Sequence, residues 1–138
     1  MKVDSIQNGF VIDHIPAGYG MKLYNLLGLD ELNVSVALIK NVFSKKTGKK
    51  DIIKIDASIS LDLDIIGYVS KDATVNVIKN GVIIEKKTLS LPAKLVNVIK
   101  CKNPRCITTT EQELDHVFKL TESGVYRCIY CEAEAPKN

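Results

Sequence analysis

The chain has 138 residues, 46% of them apolar and 25% charged, with a net charge of +3. Those values fit one ordinary domain or two small ones and exclude an intrinsically disordered chain. The absence of Trp and the scarcity of aromatics argue against a base-stacking platform. So weak a positive charge also argues against a duplex binder, which gathers basic residues on one face. No apolar run near Met1 has the length of a signal peptide, and none approaches the ~18 apolar residues of a membrane span. A cytoplasmic location without membrane contact is therefore expected. In that reducing compartment, four cysteines favour metal ligands or free thiols over disulfides.

In chain order, residues 9–15 form a short β-rich run closed by Pro16. A helix is predicted through Met21, Leu23, Tyr24 and Leu27, with Gly28 where a left-handed C-cap falls. LNVSVALI (32–39) reads as a strand buried on at least one face, and a polar loop over 44–50 separates it from the strand DIIKIDA (51–57). Ser60 is the expected cap of a second helix, with Leu61, Ile65, Ile66 and Val69 turned to the core and Asp62 in the first turn. ATVNVIK (73–79) and VIIEKKT (82–88) flank Asn80-Gly81, a strong hairpin signal. The order predicts an α+β unit, an antiparallel sheet covered by two helices. Leu91-Pro92 marks a boundary, so domains are expected at 1–92 and 93–138. The second is too small for a hydrophobic core alone to hold it.

The cysteines supply the missing staple. Cys101-x4-Cys106 and Cys128-x2-Cys131 are two knuckles separated by a β-rich stretch, the spacing of a zinc ribbon, in which four thiolates complete a tetrahedral shell. A closed shell has no open position for water, so one structural, non-catalytic Zn(2+) is expected. Two disulfides or an iron–sulfur cluster are the alternatives. Zinc ribbons serve nucleic-acid binding or protein docking. Around these knuckles Lys102 and Arg105 are offset by Glu111, Glu113, Asp115, Glu132 and Glu134, and that mixture favours docking to a protein over phosphate contact.

Catalysis has little to stand on. Lys45, Lys46, Gly48, Lys49 and Lys50 lack the first glycine and the Ser or Thr of a phosphate loop and read as a solvated turn. Asp13-His14 is adjacent in sequence but has no nucleophile near it. Lys54, between Ile53 and Ile55, reads either as a snorkelling edge residue or as a cation aimed into a ligand site.

VIDHIPAG (11–18), KDIIKI (50–55), ATVNVI (73–78), SLPA (90–93), VNVIKCKNPRC (96–106) and the final Cys-x2-Cys follow one another along almost the whole chain. Together they resemble the regulatory chain of aspartate carbamoyltransferase, an enzyme of pyrimidine biosynthesis. The resemblance implies a non-catalytic subunit with a ferredoxin-like allosteric domain over 1–92 and a small β-rich, four-cysteine zinc-ribbon domain over 93–138. The first would bind nucleoside triphosphates such as CTP and ATP and pair into a homodimer. The second would dock onto the catalytic chain. A zinc-ribbon nucleic-acid-binding protein is the alternative, and no nucleic-acid partner is expected.

The resemblance further implies nucleotide contacts from Val3, Asp4, Ser5 and Ile6. Asp13 and Lys54 would address ribose and base, and Lys86, His14 and Lys50 the phosphates. Asn76, Ile78 and Ile83 would line the base pocket, and Asn103 and Arg105 would face the catalytic chain. Alternation alone puts Lys86 on the opposite strand face from Asn76, Ile78 and Ile83, so a bulge is needed to bring it round. Three positions depart from the family pattern: Gly81 replaces an aromatic, Asp4 a Glu, and Arg105 an Asn.

Overall fold

The computed structural model of the chain describes residues 6–136, which fall into two compact units divided between Ser90 and Leu91. The first unit contains strand β1 (Gly9–Pro16), helix α1 (Gly20–Leu26), a 3-10 turn (Leu29–Glu31), β2 (Ser35–Ser44), β3 (Gly48–Asp56), α2 (Leu63–Val69), β4 (Thr74–Lys79) and β5 (Val82–Thr88). Its five strands lie in the order β2-β3-β1-β4-β5 with every neighbour antiparallel. Each helix therefore connects two parallel strands with a third threaded between them, the split β-α-β arrangement of ferredoxin-like folds. β5 extends that sheet by one strand.

Alternation decides which side the helices cover. Ile12, Ile15, Ile53, Ile55 and Val75 point to one face and are buried with Leu23 of α1, Ile66 of α2 and Leu29 of the 3-10 turn. Ile12 and Ile15 are three apart, a spacing that regular alternation forbids. A bulge in the β1–β3 register absorbs the extra residue, and His14 takes a φ of 60 to make it. The end of the first helix follows from local chemistry. Gly28 adopts φ 69 just past it, in agreement with the expected left-handed cap.

The start of α1 is less obvious, since Tyr19 offers no side-chain cap. The fully buried carboxylate of Asp51 takes over that role from β3. Its Oδ2 accepts from the N–H groups of Gly18 (3.1 Å) and Gly20 (2.9 Å), and its Oδ1 from that of Asn41 (3.0 Å). One side chain thus anchors a helix start and the irregular point of β2, where Asn41 has φ 59. Gly20 has no room for a side chain, because a Cβ there would lie 2.8 Å from both Asp51 Oδ2 and a methyl of Leu38.

Several sequence expectations shift. The cap of α2 is Asp62, whose Oδ1 accepts from Asp64 N (3.0 Å) and Ile65 N (3.3 Å), and Ser60 lies outside the helix. An aspartate two residues nearer the first turn reaches the free N–H groups that Ser60 cannot. The polar loop over 44–50 is narrower than composition suggests, because β2 and β3 extend until Ser44 pairs with Gly48. Lys54 is no edge residue, since β3 lies between β2 and β1.

The second unit holds β6 (Lys94–Val96), a single helical turn α3 (Ile107–Thr110), β7 (Val117–Leu120) and β8 (Tyr126–Cys128). The strands form one small antiparallel sheet in chain order. Among its described residues Pro92, Leu95, Phe118 and Tyr126 are buried together with Cys101, Cys106, Cys128 and Thr108, and the Tyr126 hydroxyl donates to the Pro92 carbonyl at 2.7 Å. Among the described residues no helix is long and apolar enough to cross a membrane.

Asp51→Ala leaves three N–H groups without an acceptor at about 1 kcal/mol or more each, so the first unit should lose about 3 kcal/mol of stability. Hydrogen exchange read over β1, β3 and α1 checks this, with amide protection in β6 to β8 as the internal reference.

Candidate functional site

Two places gather chemistry, one in each unit. In the second, backbone turns aim four sulfurs at one point. Asn103 shapes the first knuckle: its carbonyl accepts from Cys106 N (3.0 Å) and its side chain from Arg105 N (3.1 Å). The second knuckle closes through Glu132 N to Cys128 O (2.9 Å), with Glu132 at φ 64. Cys101 is held from behind, its N–H donating to His116 Nδ1 at 2.9 Å. The sulfurs of Cys101, Cys106, Cys128 and Cys131 all lie within 4.8 Å of one another. A tetrahedral zinc with Zn–S bonds of about 2.3 Å sets its sulfurs about 3.8 Å apart. Two edges, Cys101 to Cys131 at 3.6 Å and Cys106 to Cys128 at 3.7 Å, already match. The donor set fits one closed-shell zinc ion, whose role when bound is to hold the knuckles together.

The metal-free sulfurs differ in acidity. Burial pushes Cys101 up to about 12 and raises Cys128, whereas the Ala133 N–H draws Cys131 down to about 6. A hydrogen bond from Thr108 lowers Cys106.

The other place is the sheet face away from the helices. Cross-strand partners share a face, so the register places Lys54, Val11, Asn76 and Lys86 in one row across β3, β1, β4 and β5. Lys86 reaches that row through a bulge: Ile78 pairs with Ile83 and Val77 with Glu85, leaving Ile84 as the extra residue. The irregularity that simple alternation demanded is therefore present, and Asn76, Ile78, Ile83 and Lys86 share one face. Asp13 stands beside the row, opposite Thr74, with its Oδ1 3.0 Å from Lys50 Nζ. The same Oδ1 accepts from His14 N at 2.6 Å, fixing the bulge.

His14 and Lys86 line an open cleft of about 900 Å³ with Lys46, Thr47, Lys49 and Thr74. These last four were not singled out from sequence as site residues. The lysine-rich turn could be found there, but its placement beside Lys86 depends on the sheet order. Asn80 and Gly81 take φ 53 and 77, and Gln7 O accepts from Gly81 N at 2.9 Å, tying the chain ahead of β1 to the hairpin turn. Ile6 is half-buried at that entry, while Val3, Asp4 and Ser5 lie outside the described residues. Arg105 is exposed on its knuckle and Asn103 is half-buried, spent partly on shaping it.

Zinc capture must strip the protons that Cys101 and Cys128 hold at neutral pH. Binding should therefore release protons, and apparent affinity should rise with pH as fewer protons compete. Calorimetric titration of the metal-free chain in buffers of different ionisation enthalpy measures the release. Chelation should abolish amide protection over β6 to β8 and leave β1 to β5 protected, as hydrogen exchange would show.

Comparison with known proteins bears on both places. A family model described as aspartate carbamoyltransferase regulatory chain, allosteric domain, matches residues 1–90, and one described as its metal binding domain matches residues 93–138. The aspartate carbamoyltransferase regulatory chain of Bifidobacterium longum is 48% identical over 98% of this chain and 99% of its own length. Those of Clostridium botulinum and Clostridium tetani are each 49% identical over 96% of this chain, covering 92% and 94% of their own lengths. With both units matched and the four thiolates gathered for one metal ion, the chain belongs to the aspartate carbamoyltransferase regulatory chain family, a regulatory and not a catalytic subunit.

Proposed function

We propose that this chain carries nucleoside triphosphate signals to the catalytic chain of aspartate carbamoyltransferase in the cytoplasm, as a control on pyrimidine biosynthesis. Residues 1–92 form the effector-binding domain and residues 93–138 the zinc domain that docks onto the catalytic chain. The observation that carries the effector reading is the row of Lys54, Asn76 and Lys86 on the helix-free face, joined by Asp13, His14 and Lys50. An exposed, cation-bearing face with an amide at its centre and apolar Ile78 and Ile83 beside it suits a ligand with both a base and a triphosphate. Lys86, His14 and Lys50 take the phosphates, and Asp13 and Lys54 the ribose and base. Val3, Asp4, Ser5 and Ile6 run alongside. CTP and ATP act oppositely only if each binds the enzyme's two states with different affinity.

Docking falls to the knuckle carrying Asn103 and Arg105. Two copies of the chain pair through the first unit. The exposed edge of β2 supports that pairing, since SVALI (35–39) presents an uncharged strand edge, whereas the opposite edge on β5 carries Glu85, Lys86 and Lys87.

Lys54→Ala and Lys86→Ala should each weaken CTP or ATP binding by about tenfold or more, the worth of one charge-assisted hydrogen bond. Calorimetry on the full zinc-loaded chain reads this, and unchanged titrations in both variants remove the site assignment. Light scattering of the chain mixed with its catalytic chain should give a large complex that falls apart when zinc is ejected. If no complex forms with or without zinc, the docking reading is wrong.

A further inference from the structure

The run Ile107-Thr108-Thr109-Thr110 follows directly on the ligand Cys106, and its three hydroxyls do not behave alike. Thr109 and Thr110 turn theirs back onto the preceding turn, to Cys106 O at 2.7 Å and Ile107 O at 3.1 Å, as threonines in helical turns commonly do. Thr108 Oγ1 instead lies 3.0 Å from Cys106 Sγ. The residue is only 2% exposed, and the sulfur it meets belongs to a residue 1% exposed, so water cannot take the place of either partner. Metal-bound sulfur is a thiolate with no proton of its own, which leaves the hydroxyl as the donor.

Four thiolates around a divalent ion carry a net charge of −2, held here in a largely buried shell. Donors aimed at the sulfurs offset that excess and fix the direction of each ligand. The Thr108 hydroxyl is the side-chain O–H aimed at this cluster among the described residues. We propose that Thr108 is a positioning residue of the metal centre, its hydroxyl donating to the Cys106 thiolate and retaining that sulfur in the ligand set. The inference concerns the metal centre alone and stands apart from the effector reading.

The test uses the full chain with Thr108→Val, which keeps the shape and removes the donor, and Thr108→Ser, which keeps the donor and removes the methyl. Zinc affinity is measured by competition with a chromogenic chelator, and cobalt(II) in place of zinc reports on the sulfurs through its charge-transfer band. Thr108→Val should bind zinc about 10-fold to 100-fold more weakly, the usual effect of losing a partner behind a metal ligand. Its sulfur-to-cobalt band should move to lower energy, because a thiolate without its hydrogen bond gives up charge more easily. Thr108→Ser should restore both affinity and band position. Wild-type affinity and spectrum in Thr108→Val overturn the proposal. So does a Thr108→Ser variant as weak as Thr108→Val, or a loss of metal in both, since either result assigns the effect to packing of the methyl group.

Discussion

The convergence of four sulfurs is the constraint on which the second unit depends. Its strands are three or four residues long and, among the described residues, the side chains buried besides cysteines and Thr108 are few: Pro92, Leu95, Phe118 and Tyr126, with the Tyr126 hydroxyl tied to the Pro92 carbonyl. Apolar burial on that scale does not offset the chain entropy of ordering the segment. A metal that binds only the folded arrangement supplies the difference, so its binding free energy becomes folding free energy. The knuckles are built to that end, with Asn103 bending one and the left-handed Glu132 closing the other.

The first unit solves the opposite problem. It has enough isoleucine, leucine and valine to fold on its own core, but a two-layer α+β arrangement buries only one face of the sheet. The other face mixes polar and charged residues with apolar ones such as Val11, Ile78 and Ile83, and the strand register decides which of them meet. Asn76 and Lys86 meet across the β4–β5 hairpin, and Lys54, far from both in sequence, joins their row because Val11 of β1 pairs with Lys54 on one side and with Asn76 on the other.

Irregular backbone marks the same face. Of the sheet's three register shifts, those at Asp13-His14 in β1 and at Ile84 in β5 re-aim side chains on this face, and the third lies at Asn41 in β2. His14 holds φ 60, a conformation β-strands do not ask of a histidine, and the Asp13 carboxylate accepting its N–H keeps it there. The core face of the sheet, by contrast, is stabilised from a distance by Asp51, a carboxylate in β3 that caps a helix.

What the sequence alone determined about this protein is whatever rests on short-range pattern. The Asn80-Gly81 turn, the left-handed Gly28 and the two cysteine knuckles follow from spacing and from the conformations those residues favour. The metal centre was legible because ligand spacing within each knuckle is local and two such knuckles together supply the four thiolates of one closed shell. The tertiary structure decided what depends on long-range register. It set Lys54 on an interior strand, made Asp51 the cap of α1, brought Lys46 and Lys49 to the same cleft as Lys86, and turned the Thr108 hydroxyl to sulfur while its two neighbours bonded to the backbone. A one-residue bulge reverses the face of every side chain beyond it, and no local pattern says where the bulge falls.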